Sequence, residues 1–184
     1  MEKILNDARL FKLLLMVDAD MAQQAQATGC DHCGEKLHCG NYPRKPRGGP
    51  APDERLSFCC SICRRRKTPP SVIFLGRKVY IGVVVVLVSA MLHGLSAQRV
   101  ERLRQVLKID ESTLKRWRKW WLETFVASPF WKGARARFSP ALCEAHMPLC
   151  LVEAFHGEPS ENMVRLLQFL APITIGAFPG GGAM

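Results

Sequence analysis

Cys30-Asp31-His32-Cys33-Gly34 and Cys60-Ser61-Ile62-Cys63-Arg64-Arg65-Arg66-Lys67 decide how this chain folds. Each Cys-x-x-Cys pair forms a tight turn that aims two sulfurs at one point, so two pairs can surround a single Zn²⁺ tetrahedrally. Gly34 follows the first pair, where a knuckle needs a residue that tolerates positive φ. Arginine stands in that place after the second pair, opening a run of four cations on the rim of the expected metal site.

Working outward, charge and composition point to a polyanion partner. The chain of 184 residues carries a net charge of +10. Residues 44 to 137 hold 21 Lys/Arg against 6 Asp/Glu, and the remainder hold 5 against 10. A basic middle between mildly acidic ends is the footprint of a nucleic-acid binder. Met1 to Val17 intersperses Glu2, Asp7, Arg9 and Lys12 among apolar residues, unlike a signal peptide. The eight cysteines therefore read as reduced, metal-binding thiols in a cytoplasmic protein. Residues 79–98 form an uncharged stretch of spanning length between Lys78 and Arg99. Its dense apolar part ends at Leu92, and a buried core helix predicts the same text; no membrane is expected, although this stretch keeps a membrane-associated regulator open as an alternative.

Residues 2 to 17 read as an amphipathic helix burying Ile4, Leu5, Phe11, Leu14 and Leu15, with residues 18 to 29 as a helix tail and linker. The Pro/Gly-rich segment from Tyr42 to Pro50 predicts an extended, exposed loop whose stiffness suits phosphate contacts by Arg44, Lys45 and Arg47. Arg55–Cys59 and Val72–Leu75 predict short strands, giving a zinc ribbon over residues 30–78. A helix-turn-helix is expected over 79–126. Its first helix is Val79–Leu92, the second is capped by Ser96 with an apolar stripe of Val100, Leu103 and Leu107, and the third is capped by Asp110 and buries Leu114, Trp117, Trp121 and Phe125. Trp120 falls off that apolar face. A C-terminal part over 127–184 carries a last helix from Ser160 to Leu170 and a Gly-rich tail. The whole is an α+β protein: an N-terminal helix and linker (1–29), the ribbon, the helix-turn-helix and a short helical end.

The metal ligands expected are Cys30, Cys33, Cys60 and Cys63, preferred over Cys39, Cys59, His32 and His38 because the knuckle spacing repeats only in the four. Cys143, His146, Cys150 and His156 form a rival cluster whose apolar neighbours favour core burial. DNA contacts are expected from Arg44, Lys45, Arg47, Arg64, Arg65, Arg66 and Lys67. On the third helix, Ser112, Thr113 and Arg116 suit base edges, and Lys115, Arg118 and Lys119 suit phosphates. Single-stranded DNA or RNA fits the same basic loops and aromatics.

Residues 30–125 resemble the N-terminal region of insertion-sequence transposases that pair a zinc ribbon with a helix-turn-helix. The likeness rests on Cys30-x-x-Cys33-Gly34, on Cys60-x-x-Cys63-Arg64-Arg65-Arg66, and on the turn from Leu107 to Leu114. It implies recognition of transposon ends. About 60 residues follow the third helix, too few for the α/β catalytic domain of that family. The expectation is a zinc-dependent DNA-binding protein without enzymatic activity, an accessory or regulator in transposition and DNA recombination, with a protein partner docking on the N-terminal helix or C-terminal part. An interaction adaptor within a nucleic-acid complex is the alternative.

Overall fold

A computed structural model describes residues 7–49, 54–76, 78, 80–93, 98, 100, 101, 104, 105 and 108–175. Helices and small antiparallel sheets are both present, so the chain is α+β.

Helix α1 spans Ala8–Ala27, so the expected helix tail takes up nearly all of residues 18 to 29 and leaves little linker. Asp7 caps it, its carboxylate accepting from the Arg9 N–H at 2.9 Å. Leu10, Phe11, Leu14, Asp18 and Ala22 form the buried stripe, whereas Leu15, expected inside, is 45% exposed; Ile4 and Leu5 lie outside the described residues. Asp18 explains how a carboxylate fits that stripe. It accepts from the Ser71 hydroxyl and the Val72 N–H, both at 2.6 Å. Burial pushes its carboxyl above the usual range despite these bonds.

Gly29, at φ 73°, turns the chain out of α1 into the first knuckle. Strands β1 (Leu37–Cys39), β4 (Phe58–Cys60) and β5 (Arg66–Lys67) form one antiparallel sheet in the order β1-β4-β5. Its register pairs Leu37 with Cys60 and Phe58 with Lys67. Strands β2 (Tyr42–Pro43) and β3 (Glu54–Arg55) pair separately. The strand expected over 55–59 is thus split, and Val72–Leu75 is no strand. There Ser71 Oγ accepts from the N–H groups of both Ile73 and Phe74, winding the backbone while all four side chains enter the core.

Helix α2 (Gly82–Met91) is buried from Gly82 to Ala90. A valine run with strand propensity becomes a helix because it is covered on every side, which an all-apolar helix requires. Ten residues are too few to span a bilayer, and no helix among the described residues is long and apolar enough to cross a membrane. Residues 98, 100, 101, 104 and 105 are helical, with Val100 packed on the core. The cap at Ser96, Leu103 and Leu107 lie outside the described residues, as does the Gly-rich tail. Lys108, at φ 51°, turns the chain into helix α3 (Glu111–Lys119), which Asp110 precedes.

Helix α3 continues as a π-helical turn over Trp120–Phe125. The wider turn changes which side chains share a face, and Trp120, Trp121 and Phe125 all join the core; the Trp120–Trp121 and Trp121–Phe125 ring centroids lie 4.7 and 4.9 Å apart. An α-helical period cannot place Trp120 this way. Helices α4 (Pro129–Ala134), α5 (Leu149–Glu153) and α6 (Pro159–Leu170) close the fold. One apolar core draws on α1, residues 72–75, and α2 to α6. A second, smaller cluster of Ala22, Cys30, Leu37, Phe58 and Cys60 lies under the knuckles.

Candidate metal centre

Two turns with the same backbone build the cysteine site. The Cys30 N–H donates to the Glu35 carbonyl and the Cys60 N–H to the Arg65 carbonyl, each at 2.9 Å. Each knuckle then ends in the left-handed region, at Gly34 (φ 74°) and at Arg64 (φ 60°). The β1–β4 pairing sets the two turns against each other. Cys30 Sγ comes within 3.5 Å of Cys63 Sγ, Cys33 Sγ within 3.4 Å of Cys60 Sγ, and all four sulfurs lie within 4.8 Å of one another. All four are free thiols. A tetrahedral Zn²⁺ with bonds of about 2.3 Å separates its sulfurs by about 3.8 Å, so the set has the size of such a site.

The surrounding backbone favours thiolates unevenly. The N–H of His32, then that of Cys33, lowers the Cys30 thiol. Burial opposes ionisation of Cys60, but the N–H groups of Cys63 and Ile62 and the neighbouring thiols outweigh it and hold Cys60 at about 6. The Glu35 N–H favours a Cys33 thiolate, yet Cys60 opposite and burial prevail, and Cys33 is pushed up to about 12. Four thiols this close cannot all ionise unless a cation joins them, which is what a dication supplies.

None of the competing residues joins the four. Cys39 Sγ faces Asn41 at 3.6 Å and Cys59 Sγ faces the Arg64 carbonyl at 3.4 Å. Cys150 Sγ faces the Cys143 carbonyl at 3.1 Å, and among the described residues no second group of ligands gathers around Cys143, His146, Cys150 and His156. Nor are they in the core as expected, since Cys143, His146 and His156 are exposed and Cys150 is half-buried, the apolar neighbours turning inward without them.

The basic residues divide by whether the fold already uses them. Lys67 donates to Thr28 Oγ1 at 2.8 Å, to the Gly29 carbonyl at 3.0 Å and to Asp31 at 2.5 Å. Its three donors are thereby spent on the chain entering the first knuckle. Arg66 donates to the Gly40 carbonyl and Ser57 Oγ and lies over the Tyr42 ring. Arg44 donates to the carbonyls of Gly76 and Lys78 and lies 4.8 Å from the Phe74 centroid. The segment from Tyr42 to Gly49 is largely exposed, as expected, but it is anchored to the fold through Arg44. Arg47 forms a bridge with Tyr80, and a Cβ on Gly49 would meet Ile81 Cδ1 at 2.7 Å. By contrast, Lys45, Arg47, Arg64 and Arg65 are exposed, and their side chains make no hydrogen bond or ion pair among the described residues.

On α3, Lys115 pairs with Glu111 at 2.8 Å and Lys119 with Glu123 at 3.8 Å. Arg116 donates to Thr113 Oγ1 at 2.9 Å. Ser112 and Arg118 are exposed. These contacts are local and solvent-facing, and such pairs give way readily to a stronger partner.

Three features escaped the reading of the sequence. Arg55 is buried beside Asp18, donating to the Pro69 carbonyl. Lys78 sits 4.2 Å from the Trp120 ring centroid, and burial, aided by the charge of Arg116, pulls its amine down to about 8. Ile62, at the tip of the second knuckle, is 68% exposed. Only the last left a signal, an isoleucine between two cysteines that must both face a metal.

Comparison with family models, with curated proteins and with solved structures finds no match to this chain. The site rests on its own geometry.

Proposed function

We propose that this chain is a non-catalytic, zinc-dependent DNA-binding protein, in which a ribbon around Cys30, Cys33, Cys60 and Cys63 and a helix-turn-helix ending in α3 contact one duplex. The observation that carries this reading is the four-thiol cluster with two exposed cations, Arg64 and Arg65, next to its second ligand pair. Zinc suits the set because four thiolates in tetrahedral array are its usual structural shell. The expected helix-turn-helix finds support in the sharp turn at Lys108, where the Ile109 N–H donates to the Arg104 carbonyl at 3.2 Å, and in the exposed Ser112 and Arg116 on the first half of α3. The resemblance to transposase N-terminal regions makes a mobile-element accessory or regulator the biological setting we favour.

A salt titration of zinc-loaded protein against duplex DNA, single-stranded DNA and RNA tests the proposal. Duplex binding that weakens steeply with salt supports it, and preference for either single strand moves the ligand class. No binding to any of the three at low salt ends it. One observation favours a second reading, an adaptor that docks a protein: Leu13, Leu15 and Met16 are exposed along α1.

A further inference from the structure

The two knuckles share a hydrogen-bonded backbone, so each position in one has a counterpart in the other. Residue 34 is the glycine that a left-handed turn calls for. Its counterpart, Arg64, holds φ 60° with a Cβ and a long cationic side chain, a conformation that L-residues other than asparagine and aspartate seldom adopt. The knuckle itself demands the left-handed φ, but among the described residues no contact of the Arg64 side chain accounts for an arginine there in place of glycine. Arg64 is exposed and its side chain makes no hydrogen bond or ion pair there, unlike Arg66, whose Nη1 is engaged, and Lys67, whose three donors are spent. Beside it, Arg65 is equally unpaired, and Ile62 stands out at 68% exposure. The first knuckle carries His32 at the position of Ile62 and Glu35 at that of Arg65. A strained cation, a second cation and an apolar tip are thus gathered on one turn, whose twin lacks all three.

We infer that the second knuckle is the nucleic-acid reading tip of the ribbon: Arg64 and Arg65 grip phosphates on either side while Ile62 lies against sugar or base surface. This rests on the DNA-binding reading above and assigns it to a particular turn. Apolar tips flanked by cations suit a groove, because the cations meet its phosphate walls and the tip its uncharged floor. Cys60 and Cys63 flank the tip, so a metal held by them would fix its shape. Metal loading would therefore strengthen polyanion binding without the ion touching the ligand.

The two contacts leave different signatures in a salt titration of full-length, zinc-loaded protein on a random-sequence duplex. Arg64→Gly should lower the slope of log affinity against log salt by about 0.9, the release of one counterion set. The same variant should resist a chelator at least as well as wild type, since glycine fits the turn. Arg64→Asn, which also tolerates positive φ, repeats the test should glycine loosen the knuckle. Ile62→Ser should weaken binding about fivefold with the slope unchanged, because an apolar contact releases no counterions. His32→Ser, at the twin position, should change neither quantity. An unchanged slope in both Arg64 variants, an unchanged affinity in Ile62→Ser, or an equal loss in His32→Ser overturns the inference while leaving DNA binding intact. Failure of wild type to bind any polyanion removes the DNA-binding reading as well, and leaves the Ile62 tip to a protein partner.

Discussion

Residues 30–35 and 60–65 close the same turn, with the same 2.9 Å bond from the first cysteine to the carbonyl five residues on. Their side chains diverge completely. Asp31, His32, Gly34 and Glu35 line the first turn, while Ser61, Ile62, Arg64 and Arg65 line the second. Both are tied from outside, the first by the three donors of Lys67 and the second by the Ser61 N–H and hydroxyl, which donate to the Lys36 carbonyl at 3.2 Å each. The difference separates what a metal knuckle needs from what is added to it. Two sulfurs, a set of N–H groups aimed at them and a left-handed exit are common to both; the exposed tip and the unpaired cations belong to one. On the inference above, the first turn would serve as scaffold and the second as a display surface.

If the turns are equal as ligand pairs, removing a sulfur from either must cost the same. Cys30→Ser and Cys60→Ser should each take metal content, measured by elemental analysis of the purified chain, from one ion to none. The loss is the largest expected here, because the free energy of a structural zinc site is on the order of 10 kcal/mol and is folding free energy for the residues around it. Cys39→Ser, Cys59→Ser and Cys143→Ser should retain the ion. Metal retained in only one of the two ligand variants would break the equivalence.

The entrances to the turns differ, and this gives the next largest effect. Gly29, at φ 73°, precedes Cys30, and a Cβ there would sit 2.7 Å from the Gly34 carbonyl oxygen. Gly29→Ala should cost about 3 kcal/mol, from the left-handed φ and the backbone clash together, seen as a lower chelator concentration for half-release. Lys67→Met leaves the Gly29 carbonyl, Thr28 and Asp31 without their shared donor. With Asp31 itself largely exposed, the cost should be about 1 to 2 kcal/mol in chemical denaturation. A Lys67→Met variant as stable as wild type would mean the first turn needs no outside support.

Much of this was legible from sequence, for reasons that separate local from long-range physics. The cysteine spacing announced both turns, and Gly34 its left-handed exit, because those requirements lie within five residues. The Asp110 boundary and the face of Leu114, Trp117, Trp121 and Phe125 were equally readable, as helical period is local, although the Asp110 side chain makes none of the capping hydrogen bonds expected of it. What could not be read depends on distant partners. Asp18 extends the buried side of α1 only because Ser71 and Val72 receive its carboxylate. Val72–Leu75 looks like a strand by composition and winds instead around the Ser71 hydroxyl. Trp120 needs a π-helical turn that no α-helical period reveals. Above all, charge in the sequence does not say whether it is spent: Arg44, Arg66 and Lys67 look as free as Lys45, Arg64 and Arg65, and the fold engages the first three.

The smallest effect on stability is also the sharpest test of the division between scaffold and display. Gly34→Arg should cost about 1 kcal/mol, since a Cβ at residue 34 meets open space and only the left-handed φ is strained. Arg64→Gly should return somewhat less, because glycine's freedom in the unfolded chain takes back part of the relieved strain. The double variant therefore stays within about 1 kcal/mol of wild type in thermal unfolding, keeps its metal, and keeps the same net charge. It moves one cation from the second turn to the first and alters little else. If the turns differ in role, its affinity for a duplex should remain as low as that of Arg64→Gly alone, and its salt slope should stay reduced. If general positive charge around the metal is all that matters, the double variant should bind like wild type. That recovery would erase the distinction between the turns, whatever their side chains.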